Sequence, residues 1–218
     1  MKAVQSAYDS VAGEYAEKFF HELEDKPVDR KLLDIFCERS LRTGKVCDIG
    51  CGPGEIAAYL AKSGLDVCGI DVSEKMIQVA KKLSPLVQFE QGDMLSLRQP
   101  DAAFGGMTAF YAIVNLTRSE IERAFSEFFR VLQDSAPLLL SFHMGDEVLH
   151  VTDFLGKSAS LDFFFYPVET ITAMLKEAGF QIDECIVSSP YVPIEHPSQR
   201  AYVFARRQIR TENPGRAE

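Results

Sequence analysis

The feature that most constrains this chain is the run Val46-Cys47-Asp48-Ile49-Gly50-Cys51-Gly52-Pro53-Gly54. A short apolar strand pattern runs into three glycines, and a helical pattern follows at once. Glycine adopts backbone conformations that a Cβ forbids, and it lets a ligand approach the main chain closely. A helix beginning at such a turn aims unsatisfied N–H groups at whatever sits there. Strand, glycine turn and helix in that order open a βα unit with a binding loop.

The pattern after it continues in kind. Strands are expected at 46–49, 66–70, 86–89, 103–110 and 137–142, separated by helical segments. Gly64 ends the helix 56–62, Ser73 caps the next, and Pro85 stops it near Leu83. Thr117-x-x-Glu120 is a capping box, before a helix with Ile121, Ala124, Phe125, Phe128 and Leu132 on one face. Strand–helix alternation predicts a parallel sheet with right-handed crossovers. Two helices precede it. One carries a stripe of Val4, Ala7, Tyr8, Val11, Ala12, Tyr15 and Phe19, and the other starts at Pro27 with Val28, Leu32, Ile35 and Phe36 on a face. A helix at 167–178 and closing strands at 185–189 and 200–205 follow, the strands separated by a proline-rich loop. The stretch 143–166 has no clean period, yet it is too rich in Phe and Leu for a disordered linker. Residues from 209 onward read as a polar tail.

Asp71 falls at the end of the second strand, where an acid accepts hydrogen bonds from a ribose diol. A dinucleotide or another adenosine cofactor would satisfy that arrangement. The dinucleotide fingerprint G-x-G-x-x-G/A fails at its third position, which is Glu55. The pattern is G-x-G-x-G, with Asp48 two residues before the first glycine.

With these residues in place, the chain from about Tyr8 to Arg206 resembles the class I S-adenosylmethionine-dependent methyltransferases, within them the "type 11" small-molecule group. The resemblance implies that VCDIGCGPG is the cofactor loop, with Asp48, Gly50, Cys51, Gly52 and Gly54 in the site. It implies Asp71 on the ribose hydroxyls, with Val72 and Met76 beside it. In Gly92-Asp93-Met94, Asp93 would meet the adenine amine and Met94 would pack on the ring. Ala109 and Phe110, ending the fourth strand, would meet the methionine moiety. The Y-D-x-x-A-x-x-Y pattern of Tyr8, Asp9, Ala12 and Tyr15 would form a lid, with both tyrosines on the cofactor. The chain departs from the family at Gly105, where Asp is usual, at Asp134-Ser135-Ala136 in place of P-G-G, and at Asn115, where His is common.

The expected fold is therefore α/β: a Rossmann-like three-layer α/β/α domain with a mostly parallel seven-stranded sheet, the last strand antiparallel, under an N-terminal helical lid. Its expected division is a single domain 1–208, with lid 1–44, cofactor core 45–142, and acceptor-side segment with closing hairpin 143–208, then the tail 209–218. The expected cofactor is S-adenosylmethionine, leaving as S-adenosylhomocysteine, and the expected partner is a small-molecule methyl acceptor. A NAD(P)-dependent oxidoreductase and a non-catalytic adenosylmethionine-binding protein are the alternatives. His143 ends a parallel strand on the sheet's carboxyl edge, where ligands of open α/β sheets bind, and is the candidate to face the acceptor. Among Phe163, Phe164, Phe165 and Tyr166, most belong to the core and one or two to an acceptor pocket.

Charge and composition narrow the partners. Lys+Arg 23 against Asp+Glu 32 leaves −9, which disfavours a nucleic-acid partner. No apolar run reaches the roughly 18 residues of a membrane span, and the first twenty residues lack a signal-peptide core, so a cytoplasmic protein is expected. The five cysteines read as reduced, mostly core residues. His143-x-x-Asp146-Glu147-x-x-His150 departs from the helical zinc pattern H-E-x-x-H, and no metal is expected. Acidic charge and a contained apolar pattern suit a monomer or weak homodimer.

Overall fold

Strands buried on both faces read as continuous apolar runs, and those runs build the middle of this molecule. The computed structural model describes residues 1–191 and 196–209. In chain order the strands are β1 (Val46–Ile49), β2 (Val67–Asp71), β3 (Gln88–Gln91), β4 (Gly106–Phe110), β5 (Pro137–His143), β6 (Val148–Phe154), β7 (Lys157–Phe164), β8 (Phe180–Ser188) and β9 (Arg200–Arg207). Seven of them form one sheet in the order β3-β2-β1-β4-β5-β9-β8. β1 to β5 pair in parallel, while β9 runs antiparallel to both β5 and β8. The order reverses between β1 and β4, which opens a crevice at their carboxyl ends.

The helices are α1 (Lys2–Phe19), α2 (Pro27–Ser40), α3 (Glu55–Lys62), α4 (Glu74–Leu83), α5 (Arg118–Val131) and α6 (Val168–Glu177). Alternate strand residues divide the core. Ile49, Ile70, Leu138 and Leu140 pack with Phe125 and Phe128 of α5 and Ile171 of α6. Val46, Val67, Leu139 and Phe204 pack with Phe36 of α2, Leu60 of α3 and Ile77 of α4. Each such side chain contributes about 1.5–3 kcal/mol by leaving water. The expected three layers and single antiparallel strand are those of the structure. Among the described residues, no helix is long and apolar enough to cross a membrane.

The expected caps form: Ser73 Oγ accepts from Met76 N, and Thr117 with Glu120 closes a capping box. Several boundaries differ. The third strand begins at Gln88, because Leu86 stands 99% exposed in the turn before it. The fourth begins at Gly106. Before it Gly105 passes so close to the 42–44 turn that any Cβ would overlap the Thr43 carbonyl, so the departure from Asp there has a steric reason. In the other turn Ser135 takes φ +62° and donates its N–H to the Arg207 carbonyl. β8 starts at Phe180, well before residue 185, and α2 buries Leu33 and Cys37 with Leu32 and Phe36, in place of Val28 and Ile35. The segment 143–166 contains a regular antiparallel hairpin, β6–β7, standing apart from the main sheet. The cysteines are free, four buried and Cys185 exposed. The proline-rich loop lies partly, and the tail beyond 209 wholly, outside the described residues.

Candidate functional site

The glycine loop is shaped by three left-handed residues, Gly50, Gly52 and Gly54, at φ +68°, +50° and +90°. They are not equivalent. A Cβ on Gly50 would lie 2.6 Å from Ala112 Cβ, and one on Gly54 2.7 Å from the Phe89 ring. A Cβ on Gly52 would meet nothing within 4 Å. Gly52 N donates to Asp71 Oδ2 at 2.9 Å, and Ser73 N donates to Oδ1 at 2.8 Å. Asp71 thus joins the loop to the start of α4. Burial pushes its carboxyl above the usual range despite those donors.

α1 lies over this loop, held there by Asp9 and Tyr8 among other contacts. Asp9 Oδ1 accepts from Ser73 Oγ at 2.6 Å and Lys75 N at 3.0 Å, placing a carboxylate on the α4 N-terminus where the helix dipole favours it. Tyr8 donates to Asn115 Oδ1 at 2.9 Å, and Asn115 Nδ2 donates to the Asp162 carbonyl at 2.8 Å. Asn115, the departure from His, thus links α1 to the hairpin, as does the Lys157–Glu14 ion pair at 2.9 Å. Burial, then the charge of Asp71, pushes the Tyr8 phenol well above its usual range.

Between α1 and the sheet's carboxyl edge lies a cavity of about 100 Å³. Of the residues expected at the cofactor, Tyr8, Tyr15, Gly50, Gly52 and Asp71 line it, as do Val72, Met76, Met94 and Phe110. Six do not. Ala109 is fully buried inside the sheet, and Cys51 is buried with its sulfur against Gly69. Gly54 packs under Phe89, and Gly92 against Ile70. Asp93 turns back to accept from Leu95 N at 2.9 Å. Asp48 accepts from Thr108 Oγ1 at 2.8 Å inside the sheet.

The sequence reading missed the charge of this cavity. Glu22, Asp29, Glu55 and Asp71 line it, and no lysine, arginine or histidine side chain does. Burial, with Glu22 and Asp48 nearby, pushes the Glu55 carboxyl well above its ordinary value. Its Oε2 is buried with no hydrogen-bond partner among the described residues. Asp29, 1% exposed, accepts from Tyr202 OH at 3.0 Å. Glu22 is ion-paired with Lys26 at 2.9 Å, so part of this charge is balanced within the protein, and burial favours the neutral forms of Glu55 and Asp71.

Asp48 supplies a test independent of any ligand. Burial pushes its carboxyl up to about 7, with the Thr108 hydrogen bond opposing, against about 3.9 in an unfolded chain. The folded state therefore holds this proton more tightly. The resulting stability is fully present below about pH 4 and is lost as pH rises through about 7, roughly 4 kcal/mol in all. Asp48→Asn should lack that loss. Its melting temperature should gain on wild type from pH 5 to pH 8, and parallel pH profiles would count against the protonated folded form.

A second cavity, of about 280 Å³, shares Tyr8, Tyr15, Glu22 and Tyr111 with the first. His143 lines this one, with Nδ1 3.0 Å from Ser198 Oγ and its ring 5.0 Å from that of Tyr111. Phe163 lines it, whereas Phe165 is core. Tyr111 divides the two cavities at φ +49°, a conformation rare for a bulky residue, held by N–H contacts to the Ser141 carbonyl and hydroxyl. His150 pairs instead with Asp162 at 2.7 Å, and no metal-binding cluster occurs among the described residues.

A Rossmann-like sheet with a cavity at its switch point has the architecture in which open α/β sheets bind their ligands. Comparison with known proteins agrees. Residues 46–135 match the family described as "Methyltransferase domain". An uncharacterized methyltransferase of Oceanobacillus iheyensis is 32% identical over 186 residues, covering 80% of this chain and 84% of that one. The DhpI–SAH complex superposes with a TM-score of 0.73 at 20% identity, covering 96% of this chain and 97% of that one. A Burkholderia thailandensis 1,6-didemethyltoxoflavin-N1-methyltransferase does so with 0.72 at 16%, covering 95% and 88%. The chain belongs to the S-adenosylmethionine-dependent methyltransferases. It is an enzyme of that class, which sets aside the oxidoreductase and the non-catalytic alternatives.

Proposed function

We propose that the protein methylates a small molecule held in the second cavity, with the cofactor in the first. The observation that carries this is the shared wall: Tyr8, Tyr15, Glu22 and Tyr111 border both cavities, so donor and acceptor meet there. The cofactor, when bound, supplies a methyl group on a sulfonium that leaves as a neutral thioether. Asp71 would take the ribose hydroxyls, the open side of Gly52 would admit the ligand, and Glu55 and Glu22 would face its cationic end. The carboxylate lining fits a cation and disfavours the pyrophosphate of NAD.

Transfer would pass the methyl from the sulfonium to a nucleophilic atom of the acceptor, the carbon–sulfur pair remaining on sulfur, with the two held in line across the wall formed by Tyr8, Tyr15, Glu22 and Tyr111. The chain's work is alignment and exclusion of water. Where the acceptor carries a proton, His143 is the group positioned to take it. Met1, Val4, Tyr8, Tyr15, Glu22, Leu23 and Asp29 line the first cavity from the N-terminal side. Residues 1–44 would act as a lid held closed by the Asp9 and Tyr8 contacts, and 143–208 would supply the acceptor side. The 1,6-didemethyltoxoflavin-N1-methyltransferase binds 1,6-didemethyltoxoflavin together with S-adenosylhomocysteine, which supports a small-molecule acceptor here. A net charge of −9 supports neither a nucleic-acid nor a membrane-surface partner, and we place the protein in the cytoplasm as a monomer or weak homodimer.

S-adenosylhomocysteine at a hundredfold excess over its Kd should raise the melting temperature by about 5–10 °C, and NAD should leave it unchanged. With methyl-labelled cofactor and a cell extract split into small-molecule, RNA and protein fractions, label should enter the first. Label confined to RNA or protein would overturn the small-molecule reading.

A further inference from the structure

Tyr111 stands in the wall shared by the two cavities, in a backbone conformation that a bulky side chain rarely takes. The other non-glycine residues at positive φ among those described, Arg42, Ala102, Ser135 and Leu155, all lie in turns. Tyr111 instead follows the carboxyl end of β4. Strain of this kind persists where the surroundings over-determine it, and it gathers at ligand sites. We infer that the Tyr111 ring is a specificity-determining surface for the cofactor, recognising the positive charge on the methyl-bearing sulfur by cation–π attraction. This rests on the first cavity being the cofactor site.

Both ends of the residue are fixed. Its N–H donates to the Ser141 carbonyl at 3.0 Å and to Ser141 Oγ at 3.1 Å. Ser141 is fully buried and interrupts the apolar run of β5, where a hydroxyl is costly unless it is hydrogen-bonded. The Tyr111 phenol oxygen lies 3.5 Å from that of Tyr202, and Tyr202 donates in turn to Asp29 Oδ1 at 3.0 Å. Tyr202 and Asp29 are both buried. Residues of α2, β5 and β9 thus hold one ring in place between the cavities.

A cation is attracted to an aromatic face when it lies within about 6 Å of the centroid. The ring already has one such neighbour. Lys26 Nζ lies 5.7 Å from the centroid and is paired with Glu22 at 2.9 Å. Lys26 lines the second cavity and does not line the first, and the same holds for His143, whose ring is 5.0 Å from that of Tyr111. Phe110, 6.4 Å away, lines the first. Tyr111 therefore meets the first cavity on a side other than the one these two groups approach. S-adenosylmethionine and S-adenosylhomocysteine carry the same adenosine and the same amino acid, so the carboxylates of the first cavity attract the ammonium of both. Only a group at the sulfur tells them apart. The charge there ends with methyl transfer, and a ring at that point favours the donor over the spent product.

Calorimetric titration of the full chain with three ligands tests this: S-adenosylmethionine, S-adenosylhomocysteine, and sinefungin, which carries an ammonium group in place of the sulfonium. In Tyr111→Leu both sulfur-site cations should lose at least about threefold more affinity than S-adenosylhomocysteine, the lower end of what a cation on a ring contributes. Tyr111→Phe keeps the ring and should keep the wild-type ratios. Tyr111→Asn removes the ring with a residue that takes the left-handed conformation readily. It should match the leucine variant, and it carries the test if leucine does not fold. The melting shift with S-adenosylhomocysteine reports that each variant is folded. The inference is overturned if all three ligands weaken by the same factor, which would make Tyr111 a packing residue of the wall. It is also overturned if the phenylalanine variant loses the ratios, which would assign the effect to the hydroxyl. No S-adenosylhomocysteine shift in wild type would instead overturn the cofactor reading of the first cavity, on which the inference stands.

Discussion

Gly52→Val is expected to abolish S-adenosylhomocysteine binding while the chain still folds. The reason lies in the difference among the three loop glycines. Valine at 50 would drive into Ala112, and at 54 into Phe89, so either substitution attacks packing first. At 52 there is no atom within 4 Å of the new Cβ, so the side chain enters the cavity that Gly52 lines. The left-handed φ of +50° adds strain of about 1–3 kcal/mol, which a domain of this length tolerates. Circular dichroism should show native secondary structure and a lowered melting temperature, and titration should show no ligand shift. Binding within threefold of wild type would make the loop a structural turn and nothing more.

What the sequence disclosed follows from how local each cause is. β1 and its glycines were legible because both burial faces and the left-handed turn are written in consecutive residues. Ser73, Thr117 and Glu120 were legible because a cap is a contact over three residues. The hairpin β6–β7 was not, because most of its residues stand exposed and its register shifts between Val151 and Asp153. The acidic cavity escaped for a different reason. Asp29 looks like an ordinary first-turn acid of α2, and Glu22 sits in a short turn without pattern. Only tertiary packing brings them beside Glu55 and Asp71. Glu55 itself stood out, but only as the residue that breaks a dinucleotide fingerprint. The same departure is an acid lining the first cavity, consistent with local rules yielding where function intervenes. Asp48 shows the converse limit: it stands next to the glycines in sequence, but which way its side chain turns, toward Thr108 in the sheet, is set by packing.

Asp71→Ala is expected to weaken S-adenosylhomocysteine by a hundredfold or more. Two hydrogen bonds from a ribose diol to a carboxylate are charge-assisted, each worth roughly 1.5–3 kcal/mol, and water recovers part of that in the variant. Each carboxylate oxygen can accept a ribose hydroxyl in addition to the backbone N–H it already holds. The variant therefore has a second effect. It strips the N–H groups of Gly52 and Ser73 of their acceptor, which costs about 1–3 kcal/mol of stability for each group that stays buried. A loss of affinity could then come from a loosened loop, and a 2′,3′-dideoxy analogue of adenosylhomocysteine separates the causes. Wild type should bind the analogue poorly, and Asp71→Ala should bind both ligands alike. Asp71→Asn, which keeps one oxygen, should fall between. If the alanine variant loses the same factor for both ligands, Asp71 serves the loop and not the ribose, and the diol must find its acceptor elsewhere on the cavity wall.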